Sequence, residues 1–186
     1  MTVLNPSAMQ KFDYKWQPIH QVNKVKIPSI LWPWLATQAS LTKKLKNIGQ
    51  LSVDVIEDSW GSPTQREKRR LKLRPREAAR IRAVLLKVDG VSVIYARSII
   101  PARSFRGHWR QVKHLKNKPL GGFLFQHRRL KRSKIEVTRL PKSLFPNQTN
   151  SLWARRSVFQ QFGPGILVNE AFFENIYELK QPFGLT

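Results

Sequence analysis

The chain has 186 residues, 41% of them hydrophobic and 10% aromatic, which suits one domain with a filled core and excludes a wholly disordered chain. It has no cysteine, so disulfides, thiol nucleophiles and cysteine-ligated zinc are excluded. Lys and Arg number 34 against 11 Asp and Glu, a net charge of +23 whose field attracts polyanions.

That charge alone would suggest a nucleic-acid binder. The basic residues crowd into 66–82 and 127–139, yet zinc-finger spacing, a glycine-rich aromatic RNA-binding strand and a helix-turn-helix pattern are all missing. The charge is therefore read as a solvated surface, and no specific nucleic-acid partner is expected. No apolar run approaches the roughly 18 residues that span a bilayer. The N-terminal stretch lacks a basic segment followed by an apolar one, so a cytoplasmic location is expected.

Residues 1–28, broken by Pro6, Pro18 and Pro28, read as an irregular arm packed on the domain. From 29 to 49, Leu31, Trp34, Leu35, Leu41, Leu45 and Ile48 recur at helical spacing, with Ser40 as a cap and Gly49 as a stop. Residues 51–60 alternate as a strand. The basic stretch that follows reads as a loop or exposed helix ending near Pro75. Residues 78–88 and 91–100 form a hairpin about Asp89-Gly90, a pair that favours a type I′ turn. A helical connection fills 101–125, interrupted from Pro119 to Gly122. A short strand covers 134–140, a Pro/Asn/Ser loop 141–151, and two strands, 152–162 and 166–176, flank Gly163-Pro164-Gly165. The tail, 178–186, reads as loose. The sum is an α+β domain on a single antiparallel sheet of about six strands.

Three charges sit on otherwise apolar strand faces. Arg82 precedes Val84, Leu86 and Val88; Arg97 follows Val93 and Tyr95; Glu170 lies between Val168 and Phe172. An unpaired buried charge costs several kcal/mol, roughly, so each must be paired or hold a ligand. One reading is a structural ion pair, such as Glu170 with Arg82 or Arg97. The other is an internal pocket whose two guanidiniums would suit a small carboxylic acid. His20, His108, His114 and His127 lack metal-like spacing, so no metal site is expected, and nucleotide-binding or nucleophile-elbow motifs do not occur.

Six segments in order resemble the chorismate pyruvate-lyases of ubiquinone biosynthesis. They are Ser40 to Leu45, Ile81 to Leu86 with Asp89-Gly90, Ala96 to Pro101, Lys118 to Gly121 with Leu124-Phe125, Trp153 to Ser157 with Phe159, and Leu167 to Phe172. The resemblance implies a monomeric lyase-like domain over 29–177, with helices on one side of the sheet and helical flaps over a buried pocket. It implies a cofactor-free carbon–oxygen lyase that turns chorismate into 4-hydroxybenzoate and pyruvate. By residue, it implies Arg82 on the ring carboxylate, Arg97 on ligand in the buried site, Glu170 on the ring hydroxyl, Leu120 as a backbone contact and Leu41 lining the pocket. Arg82, Arg97 and Glu170 are thereby the expected catalytic set. The loop 141–151, the basicity and the N-terminal arm depart from the family pattern. The same fold is similar to effector-binding domains of bacterial transcription regulators, which leaves a non-catalytic sensor of small aromatic acids as an alternative.

Overall fold

The computed structural model describes residues 13–106, 108–127 and 129–179; the side chains of Arg106 and His108 are outside that description. The first 12 residues of the expected arm and the expected tail from 180 onward lie outside the described residues. Among the described residues eight strands form one antiparallel sheet: β1 (Gln17–Pro18), β2 (Leu51–Gly61), β3 (Ala79–Val88), β4 (Val91–Pro101), β5 (Lys131–Arg132), β6 (Glu136–Leu140), β7 (Leu152–Gln160) and β8 (Ile166–Phe172). Their order is β1-β6-β7-β8-β4-β3-β2, and β5 also pairs with β7. The six long strands are those expected; β1 and β5 are two-residue additions.

Turn chemistry sets the central hairpin. Asp89 and Gly90 have φ of 49° and 82°, the left-handed pair that a type I′ turn needs. β8 docks on the free edge of β4, pairing Ala96 with Glu170 and Ser98 with Val168. β7 adds beyond it, with Arg155 opposite Glu170.

Among the described residues four short α-helices cover the sheet: α1 (Trp32–Leu35), α2 (Leu41–Lys46), α3 (Gln65–Leu71) and α4 (Leu120–Leu124). The Ser40 side chain accepts from the Lys43 amide and starts α2, as its sequence predicts. On one face of the sheet Leu31, Trp34, Leu35, Leu41 and Leu45 pack on Val84, Leu86, Ala96 and Phe172. On that same face Leu120 and Leu124 join Trp109 and Phe159 over Ile100 and Val168. The connection expected to be helical over 101–125 is built from the 3-10 turns Ala102–Arg106 and His108–His114 followed by α4.

The opposite face is covered as well. The basic stretch after β2, expected as a loop or an exposed helix, forms the helix α3, and its Leu71 packs on Ile81, Ile99 and Leu167. Trp16, Leu144 and Phe145 cover the rest of that face around Tyr95 and Ala154. The loop over 141–151 is thus anchored by apolar residues. It is also held by Glu174, whose carboxylate accepts from the amide of Asn150 at 2.9 Å and the hydroxyl of Thr149 at 2.7 Å. The last strand stops at Phe172, four residues earlier than alternation suggests, because residues 174–178 turn into a 3-10 helix that buries Ile176. Among the described residues no helix is long and apolar enough to cross a membrane.

Candidate functional site

In an antiparallel ladder, directly paired residues project to the same face. Arg82 pairs with Ser98 and Ser98 with Val168; Val84 pairs with Ala96, Ala96 with Glu170 and Glu170 with Arg155. Arg82, Glu170 and Arg155 therefore share the face beneath α2 and α4. By strand spacing and rise, the Arg82 and Glu170 backbones are roughly 12 Å apart, so their side chains can close on one small ring from two sides.

An internal cavity lies between that face and the two helices. Leu41 and Thr42 of α2, Leu120 and Gly121 of α4, and the three charged residues Arg82, Arg155 and Glu170 all line it. Apolar walls come from Val84, Leu86, Leu124, Phe125, Phe159 and Val168. Its volume is about 40 Å³, room for about three waters. A small aromatic acid is larger than this space, so the lining must open to admit one. The two helices meet at Gly121, where an added Cβ would sit 2.7 Å from the Thr42 hydroxyl.

Each end of the cavity is organised around a guanidinium. Arg82 is 3% exposed and donates from Nη1 to Asp58 at 2.8 Å. Its Nη2 donates to the carbonyls of Lys116 and Lys118, which lead into α4. At the other end Arg155 donates from Nε to Glu170 at 2.7 Å. Its Nη1 donates to the carbonyls of Trp34 at 2.8 Å and Thr37 at 2.9 Å, in the segment that leads into α2. Both arginines thus fix the root of a covering helix while facing the same cavity.

The Glu170 end is the more cationic. Arg132 donates to the carbonyls of Thr37 and Gln38, and Lys44 donates to the carbonyl of Pro33. Burial, followed by repulsion from Arg155, lowers the Arg132 guanidinium to about 10, with Glu170 opposing the shift. Burial first and Arg155 second also lower Lys44.

Arg97, expected among the ligand contacts, does not line this cavity. It lies one residue out of phase with Ala96 and Ser98, on the other face of the sheet. There its Nε donates to Glu67 at 3.2 Å, and the two side chains are 3% and 1% exposed. Glu67 also accepts from the Asn169 amide at 3.4 Å and closes a capping box with Thr64 at the start of α3. Glu57 stands 3.6 Å from the Arg97 Nη1, so Arg97 is ion-paired on this face with Glu67 and Glu57.

Arg155 is the residue that the sequence reading left without a role. Its signal was present: Trp153, Arg155, Ser157 and Phe159 alternate on one face, as around Arg82 and Glu170. Among the described residues no group of three or more His, Asp or Glu side chains is placed to hold a metal ion.

The chorismate lyase family model matches residues 11–181 of the chain. The chain belongs to the chorismate lyase family. This member is 36% identical over 166 residues to a probable chorismate pyruvate-lyase of Aromatoleum aromaticum, covering 83% of this chain and 90% of that one. It is 32% identical over 168 residues to a probable chorismate pyruvate-lyase of Hydrogenovibrio crunogenus, covering 86% and 90%. In fold, this chorismate lyase family member is similar to the C-terminal domain of the histidine utilization repressor of Pseudomonas syringae, with a TM-score of 0.55 at 10% identity over 73% of this chain and 99% of that one. It is also similar to the effector domain of PhnF from Mycobacterium smegmatis, with a TM-score of 0.54 at 15% identity over 75% and 91%. At such identities the likeness concerns the fold alone.

Proposed function

We propose that the protein is a chorismate pyruvate-lyase that releases 4-hydroxybenzoate and pyruvate at the cavity beneath α2 and α4. The observation that carries this reading is the arrangement of Arg82 and Glu170 on one sheet face, across an apolar cavity roofed by Leu41 and Leu120. A ring with a carboxylate at one end and a hydroxyl at the other matches that polarity. Family membership supplies the reaction.

The chemistry asks little of the protein beyond placement. The ether C–O bond at ring position 3 of chorismate breaks, and the hydrogen at position 4 leaves as a proton. The ring becomes aromatic, and the departing enolpyruvate takes up a proton to become pyruvate. Aromatisation drives the step, so binding and orientation carry most of the catalytic load. Arg82 grips the ring carboxylate, with a geometry already fixed by Asp58 and the two flanking carbonyls. Leu120, in the first turn of α4, has a main-chain amide without an intrahelical acceptor and contributes a second donor there. Glu170 accepts from the ring hydroxyl and is in place to receive the position-4 proton. Leu41 and Phe159 contact the ring faces.

The test is incubation with chorismate without added cofactor, following both products by chromatography. Equimolar 4-hydroxybenzoate and pyruvate is the expected result. A folded sample yielding neither removes the lyase reading. Binding of 4-hydroxybenzoate by that inactive sample would instead favour a sensor, the function that the fold serves in its regulator neighbours.

A further inference from the structure

We infer that Arg155 is a substrate-binding residue, and that it receives the enolpyruvyl carboxylate of chorismate. The inference rests on the proposed lyase function and goes beyond it, since that reading leaves the second carboxylate of the substrate without a partner once Arg97 is placed on the far face.

The substrate's own connectivity narrows the choice. The ring carboxylate is at position 1, the enolpyruvyl ether at position 3 and the hydroxyl at position 4. With Arg82 on the carboxylate and Glu170 on the hydroxyl, the ether must emerge beside Glu170. Arg155 is the residue opposite Glu170 in the β7–β8 register and is hydrogen-bonded to it at 2.7 Å. It is 1% exposed and lines the cavity. Its Nε and Nη1 are committed to Glu170 and to the Trp34 and Thr37 carbonyls, whereas its Nη2 makes no hydrogen bond among the described residues. A guanidinium already clamped on two nitrogens presents the third with little further loss of freedom.

Charge points the same way. At the Arg82 end, Asp58 offsets the guanidinium, although Arg80 shares that carboxylate. At the other end Arg155 and Arg132 face the single carboxylate of Glu170, Lys44 lies near Arg155, and both Arg132 and Lys44 are shifted toward their neutral forms. That end is short of negative charge. A second substrate carboxylate supplies it, and the charge that develops on the leaving enolpyruvate is met by the same group. The product 4-hydroxybenzoate lacks this carboxylate, so its hold on the site weakens at this end as pyruvate departs.

The distinguishing experiment measures Arg155→Lys against two ligands. Lysine keeps a cation beside Glu170 and removes the free nitrogen of the fork. Expected are a loss of 30-fold or more in kcat/KM for chorismate, on the scale of a truncated charge-assisted contact, and a change within about threefold in 4-hydroxybenzoate affinity. Equal losses for both ligands would overturn the inference, because they mark a residue that only positions Glu170. Unchanged turnover would overturn it too. If the variant does not fold, the wild-type protein crystallised with 3-(carboxymethoxy)-4-hydroxybenzoate decides. The ether carboxylate lies within hydrogen-bond distance of Arg155 Nη2, or the inference fails. Absence of any product from wild-type protein would sink the lyase reading itself, a result separate from all of these.

Discussion

The two faces of the sheet solve the same physical problem in opposite ways. Each carries arginine and carboxylate side chains among apolar neighbours, where an unpaired charge costs several kcal/mol, roughly. Beneath α3, Arg97 is matched by Glu67 with Glu57 beside it, backed by Asn169 and sealed by Leu71, Ile81 and Ile99. Beneath α2 and α4, Arg82 and Arg155 stand around a cavity with nitrogens uncommitted, and cations outnumber carboxylates. A closed pair specifies how a helix docks. An open, unbalanced set leaves the last partner to arrive from solution. Buried charge alone therefore does not mark a site; the state of its remaining hydrogen-bonding capacity does.

The comparison breaks most visibly at Glu170. Glu170→Gln should lower the kcat for chorismate by roughly 100-fold or more, the range of a lost acid–base group, while the melting temperature changes little. Parallel losses in stability and turnover would mean that the open face is as structural as the closed one.

On the closed face the pattern reverses. Glu67→Ala leaves Arg97 with Glu57 alone, 3.6 Å from its Nη1, and removes the α3 capping box; it should cost about 3 kcal/mol, seen as a drop of roughly 10 °C in Tm. Affinity for 4-hydroxybenzoate, measured well below that Tm, should remain within about threefold of wild type. A tenfold loss would bring Arg97 back into the site.

Gly121→Ala sharpens the account of the roof. The new methyl meets the Thr42 hydroxyl, and must push α4 away from α2. A roughly tenfold weaker 4-hydroxybenzoate complex with a small stability change is expected, consistent with about 1–2 kcal/mol of overpacking. Restored affinity is required in Thr42→Gly/Gly121→Ala, which removes the hydroxyl that the new methyl meets.

The smallest effect concerns acid. Burial tends to raise Glu136, but the hydrogen bonds from Arg70 and Arg156 outweigh it and hold the carboxylate below its ordinary range. A carboxylate depressed in the folded state contributes stability above its unfolded pKa and loses it as pH falls through the folded value. Wild-type protein should therefore lose more stability between neutral pH and the acid end than Glu136→Gln does. Identical acid profiles from chemical denaturation would contradict this.

Much of this was legible in the sequence. Alternation gave the six long strands, Asp89-Gly90 gave the hairpin, and Ser40 gave the start of α2. Arg82, Glu170, Leu41 and Leu120 were all singled out, and one cavity contains all four. That Arg97 lies apart from these four has a definite cause. Period-two alternation sorts each strand into two faces, but only the interstrand register decides which face of one strand matches which face of the next. Arg82 pairs with Ser98, and that single offset sends Arg97 to the far side. The stretch of α3 reads as a loop or an exposed helix, and its buried side is not legible because the basic residues mask Glu67 and Leu71, which carry the burial. Arg155 went unassigned although it obeys the rule that found Arg82. Its adjacency to Glu170 is a tertiary fact, created when β7 pairs with β8 across the Gly163-Pro164-Gly165 turn.

The central claim is that the face beneath α2 and α4 holds the ligand and the face beneath α3 does not. The most direct measurement is a crystal structure of the protein with 4-hydroxybenzoate. The account predicts the carboxylate on Arg82, the hydroxyl on Glu170, α2 and α4 displaced outward around the ring, and the Arg97–Glu67 pair unchanged. A ligand seated against Arg97, with the cavity between Arg82 and Glu170 still closed, would contradict it.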